Sequence, residues 1–417
     1  MNALSRRRFL QGAGGLLALG MTGGLTACGG GGTSGAEVRK TTAWIYRPEY
    51  RKAIDALVAE FAKAHPGIEV DMGYKPLAQY QTMLKTALVG GAAPDTFATN
   101  GAAGIWGDTG ADNDYILPLT GKIPLDDLHP SVAKAVQYKG EVYGAPVQIF
   151  KIGVYYQKPV FEKHGVRPPT TWDELLSVSK TLTEKGVAAW SMPAQDMIMP
   201  YFFYHLAVNS IMGAGGYEEL ATGKRKLTDA DLLPAAQLMV DMSKYFNKGY
   251  EAVAYAEGKA LFAQGKTAMV IGGSSDYSGY LEINPQLNVG FMGFPTPKGG
   301  DPAALSGLSM AYVVNKKAAR KDDAVAFASW LTGVEAQKVV LANLGLPSRK
   351  DVTPEGDDPR STMMRSILQV AATPAWTDFP TTGGTSTAAY KDGAGIFSGR
   401  LSPRQFAQLL QDTIKPE

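Results

Sequence analysis

The chain has 417 residues, 45% hydrophobic and 19% charged, a balance that excludes global disorder, a collagen-like repeat and a multi-span membrane protein and leaves room for two or three domains. Lys and Arg number 41 against 39 Asp and Glu; three of the 41 (Arg6, Arg7 and Arg8) lie in an acid-free leader, which leaves 38 against 39 and no electrostatic case for nucleic acid. The single cysteine, Cys28, forbids an internal disulfide, and four scattered histidines (His65, His129, His164 and His205) give little support to a metal site.

Ser5-Arg6-Arg7-Arg8-Phe9-Leu10-Gln11 precedes a Gly-rich, weakly apolar run at 12–25, too short to span a bilayer well. The heptad resembles the twin-arginine export motif. Leu25-Thr26-Ala27-Cys28-Gly29 resembles a bacterial lipobox, in which the cysteine is lipidated and the chain is cut before it. The Gly/Ser tract at 29–35 has the composition of a flexible tether. Together they imply a signal peptide at 1–27, a tether at 28–40 and an exported lipoprotein, held through Cys28 on the outer face of the cytoplasmic membrane, periplasmic or at the cell surface.

Beyond the tether, 41–46 is β-branched and aromatic, as a strand requires. Ile54, Leu57, Val58 and Phe61 share one face of a helix that stops at His65-Pro66-Gly67. Ile68, Val70, Met72 and Tyr74 alternate as a second strand, a helix follows from 77 to 89, and Pro94-Asp95 opens a third strand. This order predicts βαβ units and a largely parallel sheet. Further on, 149–156 is an apolar strand. Thr171 and Glu174 form a capping box for a helix that buries Leu175, Val178 and Leu182 and ends at Gly186, and 197–212 is an aromatic, buried helix.

Catalytic signatures are incomplete. Gly265-Lys266-Thr267 resembles the end of a phosphate-binding loop, but Ala260 occupies the position of its first glycine. Gly307-Leu308-Ser309-Met310-Ala311 lacks the last glycine of a nucleophile elbow, and there is no His-Glu-x-x-His. Paired catalytic carboxylates remain open, because any two acids can meet in a fold.

Several segments, in order along the chain, resemble the extracytoplasmic solute-binding proteins of ABC importers, in the sugar-binding group that includes maltose-binding protein. They are Gly90-Gly91-Ala92-Ala93-Pro94-Asp95, then Tyr138-Lys139-Gly140-Glu141-Val142-Tyr143-Gly144-Ala145-Pro146, then Gly153-Val154-Tyr155-Tyr156-Gln157-Lys158 and the helix start at 168–175. Phe262-Ala263-Gln264-Gly265-Lys266-Thr267, Gly293-Phe294-Pro295 and Leu346-Pro347 continue the series. Gln157 departs from the usual Asn, at a position that serves the fold. The resemblance implies an α/β, two-lobe periplasmic-binding-protein-like fold with a ligand cleft between lobes. The N-terminal lobe would be 41–147 plus 290–332 and the C-terminal lobe 152–287 plus 336–417, with crossings near 148–151, 288–290 and 331–336. It also implies a monomer that passes its ligand to permease subunits, without cofactor or catalysis.

A sugar site needs stacking aromatics and fixed polar groups, placed beyond the carboxyl ends of strands. The candidates are Trp44 and Tyr46 after the first strand, with core packing an equal reading of Trp44, and Asn100 after the third. Tyr201 matches a family stacking position and is also consistent with core packing. Ser275, Asp276 and Tyr277 follow the strand at 269–271, Gly307 and Ser309 form a glycine loop, and Trp376, Asp378 and Phe379 lie in a Pro-flanked loop. Only Tyr277 is aromatic where maltodextrin binders often place tryptophans, which weakens the case for a long glucan. Arg349 could pair with a ligand acid or be solvated. A non-sugar solute (polyamine, glycerol phosphate, iron complex) and an exported hydrolase are the alternatives; a cationic ligand would need several cleft carboxylates, and these loops supply Asp276 and Asp378.

Overall fold

The computed structural model describes residues 38–100, 105, 109–195, 197–374 and 383–414. The leader, Cys28 and the tether as far as 37 lie outside them, as do Trp376, Asp378 and Phe379 and the side chain of Asn100; of the expected tether, Arg39 and Lys40 instead open the first strand, because they pair with Ile68 and Glu69. Among the described residues no helix is long and apolar enough to cross a membrane.

The first third folds as its periodicity predicts. Strand β1 (Arg39–Ile45) buries Thr41, Ala43 and Ile45, and the helix Arg51–Ala64 buries Ala53, Ile54, Leu57 and Phe61 against it. Strand β2 (Ile68–Tyr74) runs parallel to β1; the helix Leu77–Gly90 stops at Gly91, whose φ of 71° suits glycine, and β3 (Thr96–Asn100) returns parallel on the other side of β1. The Pro94-Asp95 turn is a clamp: Asp95 accepts from the backbone N–H of Thr42 (2.9 Å), the Thr42 hydroxyl (2.9 Å) and the backbone N–H of Arg320 (3.1 Å). Burial raises its carboxyl, and these donors outweigh burial and hold it below its ordinary value.

Lys139 and Gly140, both with positive φ, turn the short hairpin of β4 (Gln137–Tyr138) and β5 (Glu141–Val142). The chain then enters β6 (Ala145–Gln157), longer than its apolar run suggests because Ala145 and Pro146 also pair. The capping box forms as expected on the helix Trp172–Glu184. Strands β7 (Ala188–Ser191), β8 (Thr267–Gly273), β9 (Val289–Met292), β10 (Ala303–Val314) and β11 (Ala371–Pro374) complete one mixed sheet in the order β2-β1-β3-β10-β6-β8-β7, with β11 beside β10 and β9 beside β6. Pairing is parallel toward both ends, but β10 is antiparallel to β3 and β6, and β6 to β8 and β9. The largely parallel sheet predicted from the first βαβ units thus stops at β3, because β6 and β10 cross the middle in opposite senses.

Two cores flank this crossing. One gathers Leu57, Phe61, Phe97, Val147 and Tyr312; the other gathers Val154, Leu175, Trp190, Phe203, Met239 and Phe406. Up to Phe150, β6 pairs with β10; from Ile152 it pairs with β8 and β9. The second crossing, expected near 288–290, falls on β9, which still pairs with the far half of β6. The change of partner occurs inside β10, whose residues 303–306 pair with β11 and 307–312 with β6. The third, expected at 331–336, is a turn between the helices Lys321–Leu331 and Val334–Asn343.

Gln337 holds that turn to β6. Fully buried, it donates to the carbonyls of Val147 (3.0 Å) and Leu331 (2.8 Å) and accepts from the Ser348 backbone N–H (2.6 Å), while the Ser348 hydroxyl lies 3.0 Å from the same oxygen. Gln337→Met leaves these groups buried without partners and should cost about 2–3 kcal/mol in urea unfolding; a loss of a few tenths would show that the network contributes nothing net. His205, in the second core, is fully buried, and burial pushes its pKa well below the ordinary value. The unfolded chain therefore binds a proton that the fold refuses, so stability should fall as pH drops below about 6.5. His205→Leu should flatten that slope, and an unchanged urea midpoint between neutral and mildly acidic pH in the parent chain would contradict it.

Candidate functional site

The crossing strands set the geometry of the candidate cleft. β10 carries a bulge where Leu308 faces Ile149 and Met310 faces Gln148, so Ser309 is the extra residue. Its hydroxyl donates to the side-chain oxygen of Gln148 (3.4 Å), and its carbonyl lies 3.2 Å from the Tyr46 hydroxyl, which is also 3.3 Å from the carbonyl of Thr99. Tyr46 is buried, with 1% of its surface exposed, and ties the ends of β1, β3 and β10 together. The backbone of Asn100 pairs with Met310 at the same place. Gly307 pairs with Phe150 at the point where β6 changes partner.

Immediately after Tyr46, the Arg47 guanidinium lies 5.7 Å from the Tyr46 ring centroid and 5.5 Å from that of Tyr50, with Glu49 accepting at 3.3 Å. Burial raises the Tyr50 phenol, and Asp276 adds to the shift, so this turn lies within electrostatic reach of the end of β8. Asp276 is itself buried. One oxygen accepts from the Tyr255 hydroxyl (2.6 Å) and lies 3.4 Å from the Lys259 ammonium; the other accepts from the Gly273 backbone N–H (2.8 Å). Tyr277 is buried and stacks on Tyr155 with ring planes 5° apart, while Ser275 is exposed.

Between these groups lies Lys151, the β6 residue where the ladder passes from β10 to β8. Its backbone N–H donates to the Ser274 hydroxyl (3.3 Å) and its carbonyl accepts from the Ser274 N–H (2.8 Å). Its ammonium, 6% exposed as a residue, donates to the carbonyls of Ile367 (3.2 Å), Leu368 (2.9 Å) and Val370 (2.7 Å) at the end of the helix Pro359–Gln369. Burial pushes the ammonium down to about 8, while the helix-end carbonyls favour its charged form.

Two sequence candidates lie apart from this group. Trp44 is half-buried over Gly73, where a Cβ would come within 2.7 Å of the indole, and the Lys75 ammonium lies 4.4 Å from its ring. Tyr201 is 1% exposed within the second core, edge-on to Tyr390 at 5.6 Å. Its helix, Ile198–Met212, is joined to β11 by Asn209, which donates to the Thr373 hydroxyl and to the carbonyl of Pro374 (3.3 Å), just before the segment of Trp376, Asp378 and Phe379. Arg349 is neither solvated nor open to a ligand: 7% exposed, it binds Asp351 through two parallel bonds of 2.8 Å and Asp127 at 3.0 Å. Sequence reasoning missed Arg47, Tyr50, Tyr255, Lys259 and Lys151. Arg47 and Tyr50 follow β1 directly, so the strand-end rule that selected Tyr46 reaches them too. Among the described residues no group of three or more His, Cys, Asp and Glu is placed to hold a metal ion.

The model of the family described as bacterial extracellular solute-binding protein matches residues 46–338, well over half of the chain. The chain belongs to this family. Among the relatives of this solute-binding protein, the multiple sugar-binding protein of Streptococcus mutans is 24% identical over 328 residues, covering 75% of this chain and 76% of that protein. The melibiose/raffinose/stachyose-binding protein MelE of Bacillus subtilis is 25% identical over 344 residues, with 76% of each chain covered. Among solved structures, a chitin oligosaccharide binding protein superposes with a TM-score of 0.76 at 22% identity, over 89% of this chain and 97% of that one, a likeness of fold. The α/β, two-lobe architecture expected from the sequence is the one present.

For this solute-binding protein, Asp276 separates a folding role from a binding role. Asp276→Ala removes the acceptor of Tyr255 and Gly273 and the counter-charge of Lys259, and should cost about 3 kcal/mol of stability. Asp276→Asn keeps an acceptor and should cost less. Equal urea midpoints for the two variants would show that the carboxylate's bonds are not what holds the end of β8.

Proposed function

We propose that the chain is the carbohydrate-binding component of an ABC importer, exported behind the twin-arginine leader and held at the membrane by a lipid on Cys28. The likeness to two curated relatives named for sugars, over three quarters of the chain, carries this reading. The ligand would lie between the lobes, against Asn100, Ser275, Tyr277, Gly307, Ser309 and the loop of Trp376, Asp378 and Phe379. Trp44, Tyr46, Tyr201 and Asp276 would complete or support that surface, the last three from buried positions. A sugar that touches both lobes binds the closed state better than the open one and shifts the population toward it. The permease would recognise that closed form, and no bond in the ligand would change.

The engagement of Asp276 by Lys259 favours this reading over a cationic solute. A polyamine needs carboxylates with free charge, and this one already faces an ammonium at 3.4 Å. The test is a thermal-shift screen against mono- and oligosaccharides, polyols, polyamines and amino acids. A ligand that binds only the folded state stabilises it by RT ln(1 + [L]/Kd), about 2.7 kcal/mol at one hundred times Kd. A clear shift with one carbohydrate recovered intact is the expected result. A shift with a polyamine and none with any sugar would overturn the sugar, and consumption of the sugar would overturn a non-catalytic role.

A further inference from the structure

Lys151 occupies a gap in the sheet. The β6–β10 ladder reaches Phe150 and the β6–β8 ladder begins at Ile152, so neither register assigns Lys151 a cross-strand partner. Ser274 fills the gap by exchanging two hydrogen bonds with the Lys151 backbone, and Ser274 directly precedes Ser275, Asp276 and Tyr277. On the side-chain end, the ammonium holds three carbonyls at the close of the helix Pro359–Gln369, one residue before β11, which runs into the segment at 375–382. One residue therefore touches the approach to both of the second lobe's predicted ligand loops.

A buried ammonium is costly, and an apolar side chain would fill the same space without that cost. Three converging acceptors explain its presence by geometry. A cation at a helix C-terminus is electrostatically matched, and its three N–H groups fix the end of that helix relative to β6. The other titratable groups nearby are His129 and Lys350: burial lowers the His129 pKa, and Lys151 and Lys350 lower it further. The cluster contains no carboxylate that would make Lys151 one half of an ion pair, among the described residues.

We propose that Lys151 is a positioning residue of the ligand cleft, fixing the loop at 274–277 and the segment entering β11 relative to each other through one side chain on the crossing strand. This rests on the reading of the cleft given above, and the experiment separates the two. Hydrogen exchange, which needs no ligand, is measured on the parent chain and on Lys151→Met, Lys151→Arg and Leu57→Ala, the last a loss of packing in the first core. Lys151→Met should speed exchange about tenfold or more in both 272–277 and 368–374 while leaving 51–64 near its parent rate. Lys151→Arg, which can still donate to the carbonyls, should restore much of the protection, and Leu57→Ala should act on 51–64 instead. Acceleration in one segment only, in all segments alike, or in neither would overturn the proposal. Raffinose titration of the same variants gives the functional arm: Lys151→Met should weaken binding about tenfold or more and Leu57→Ala should not. Equal affinity of the parent and Lys151→Met would overturn the positioning role. Failure of the parent to bind raffinose would count against that sugar and leave the exchange result to decide on Lys151.

Discussion

A strand that serves two cores must change ladder partners along its length, and at the change its backbone groups lose their neighbours. β6 and β10 both do this, and the rest of the molecule is arranged around the consequence. A buried N–H or carbonyl without a partner costs about as much as a lost hydrogen bond, so the seam must be satisfied by groups from outside the sheet. Ser274 serves Lys151, Gln337 serves Val147, the Ser348 hydroxyl donates to the carbonyl of Pro146, and Gln148 reaches the carbonyl of Leu344. Gly345, with φ of 149° and no space for a Cβ beyond 3.0 Å from the Gln148 amide, lets that last contact form. The seam therefore adds side-chain bonds to a few backbone bonds, Ser274 N–H to the Lys151 carbonyl (2.8 Å) and Ile149 N–H to the Leu346 carbonyl (3.1 Å) among them.

This construction suits a protein whose lobes move. At Lys151 the regular ladder is interrupted for one residue, and the bonds that replace it come from Ser274. The bulge at Ser309 works in the same direction: it breaks the regular register of β10 beside Gln148 and turns the local backbone toward the strand ends. If a ligand is held between the lobes as proposed, the energy it contributes by touching both sides would decide how often a closed form is populated.

Much of this was legible in the sequence and some was not, for identifiable reasons. The β1-helix-β2-helix-β3 order follows from alternation in 68–74 and from the spacing of Ile54, Leu57 and Phe61, because each element there buries a single face. The capping box at Thr171 and Glu174 is a local motif and needs no tertiary information. The antiparallel middle of the sheet depends on where a strand more than 150 residues later returns, and no local pattern records that. Lobe boundaries leave no local pattern either: β9 reads alike in either lobe, and so does the helix Val334–Asn343. Among the candidate site residues, the rule of strand ends placed Tyr46, Ser309 and the backbone of Asn100 beside one another. It could not tell a side chain facing the cleft from one folded under it, so Tyr46 and Asp276 were selected by position although both are committed to neighbours. Lys151 left no signal, since a lysine in an apolar strand reads as a solvated interruption until the helix end that receives it is placed.

The distribution of polar contacts between the two sides carries a last consequence. The bonds at the seam are buried and several per residue. At the periphery, an ion pair joins Lys134, on a helix of the first core, to Glu218, on a helix beside the second, at 3.4 Å with both side chains more than two-thirds exposed. Water and salt screen such a pair, and the ordering of two long side chains offsets most of what remains, so it contributes little to holding the lobes together. Strong contacts near the axis of rotation change little as the lobes turn, while contacts far from it would change most. Among the described residues, the strong contacts named above lie at the seam and this peripheral pair is a weak one. If the lobes close on a ligand as proposed, contacts made by that ligand to both sides would supply the preference for closure.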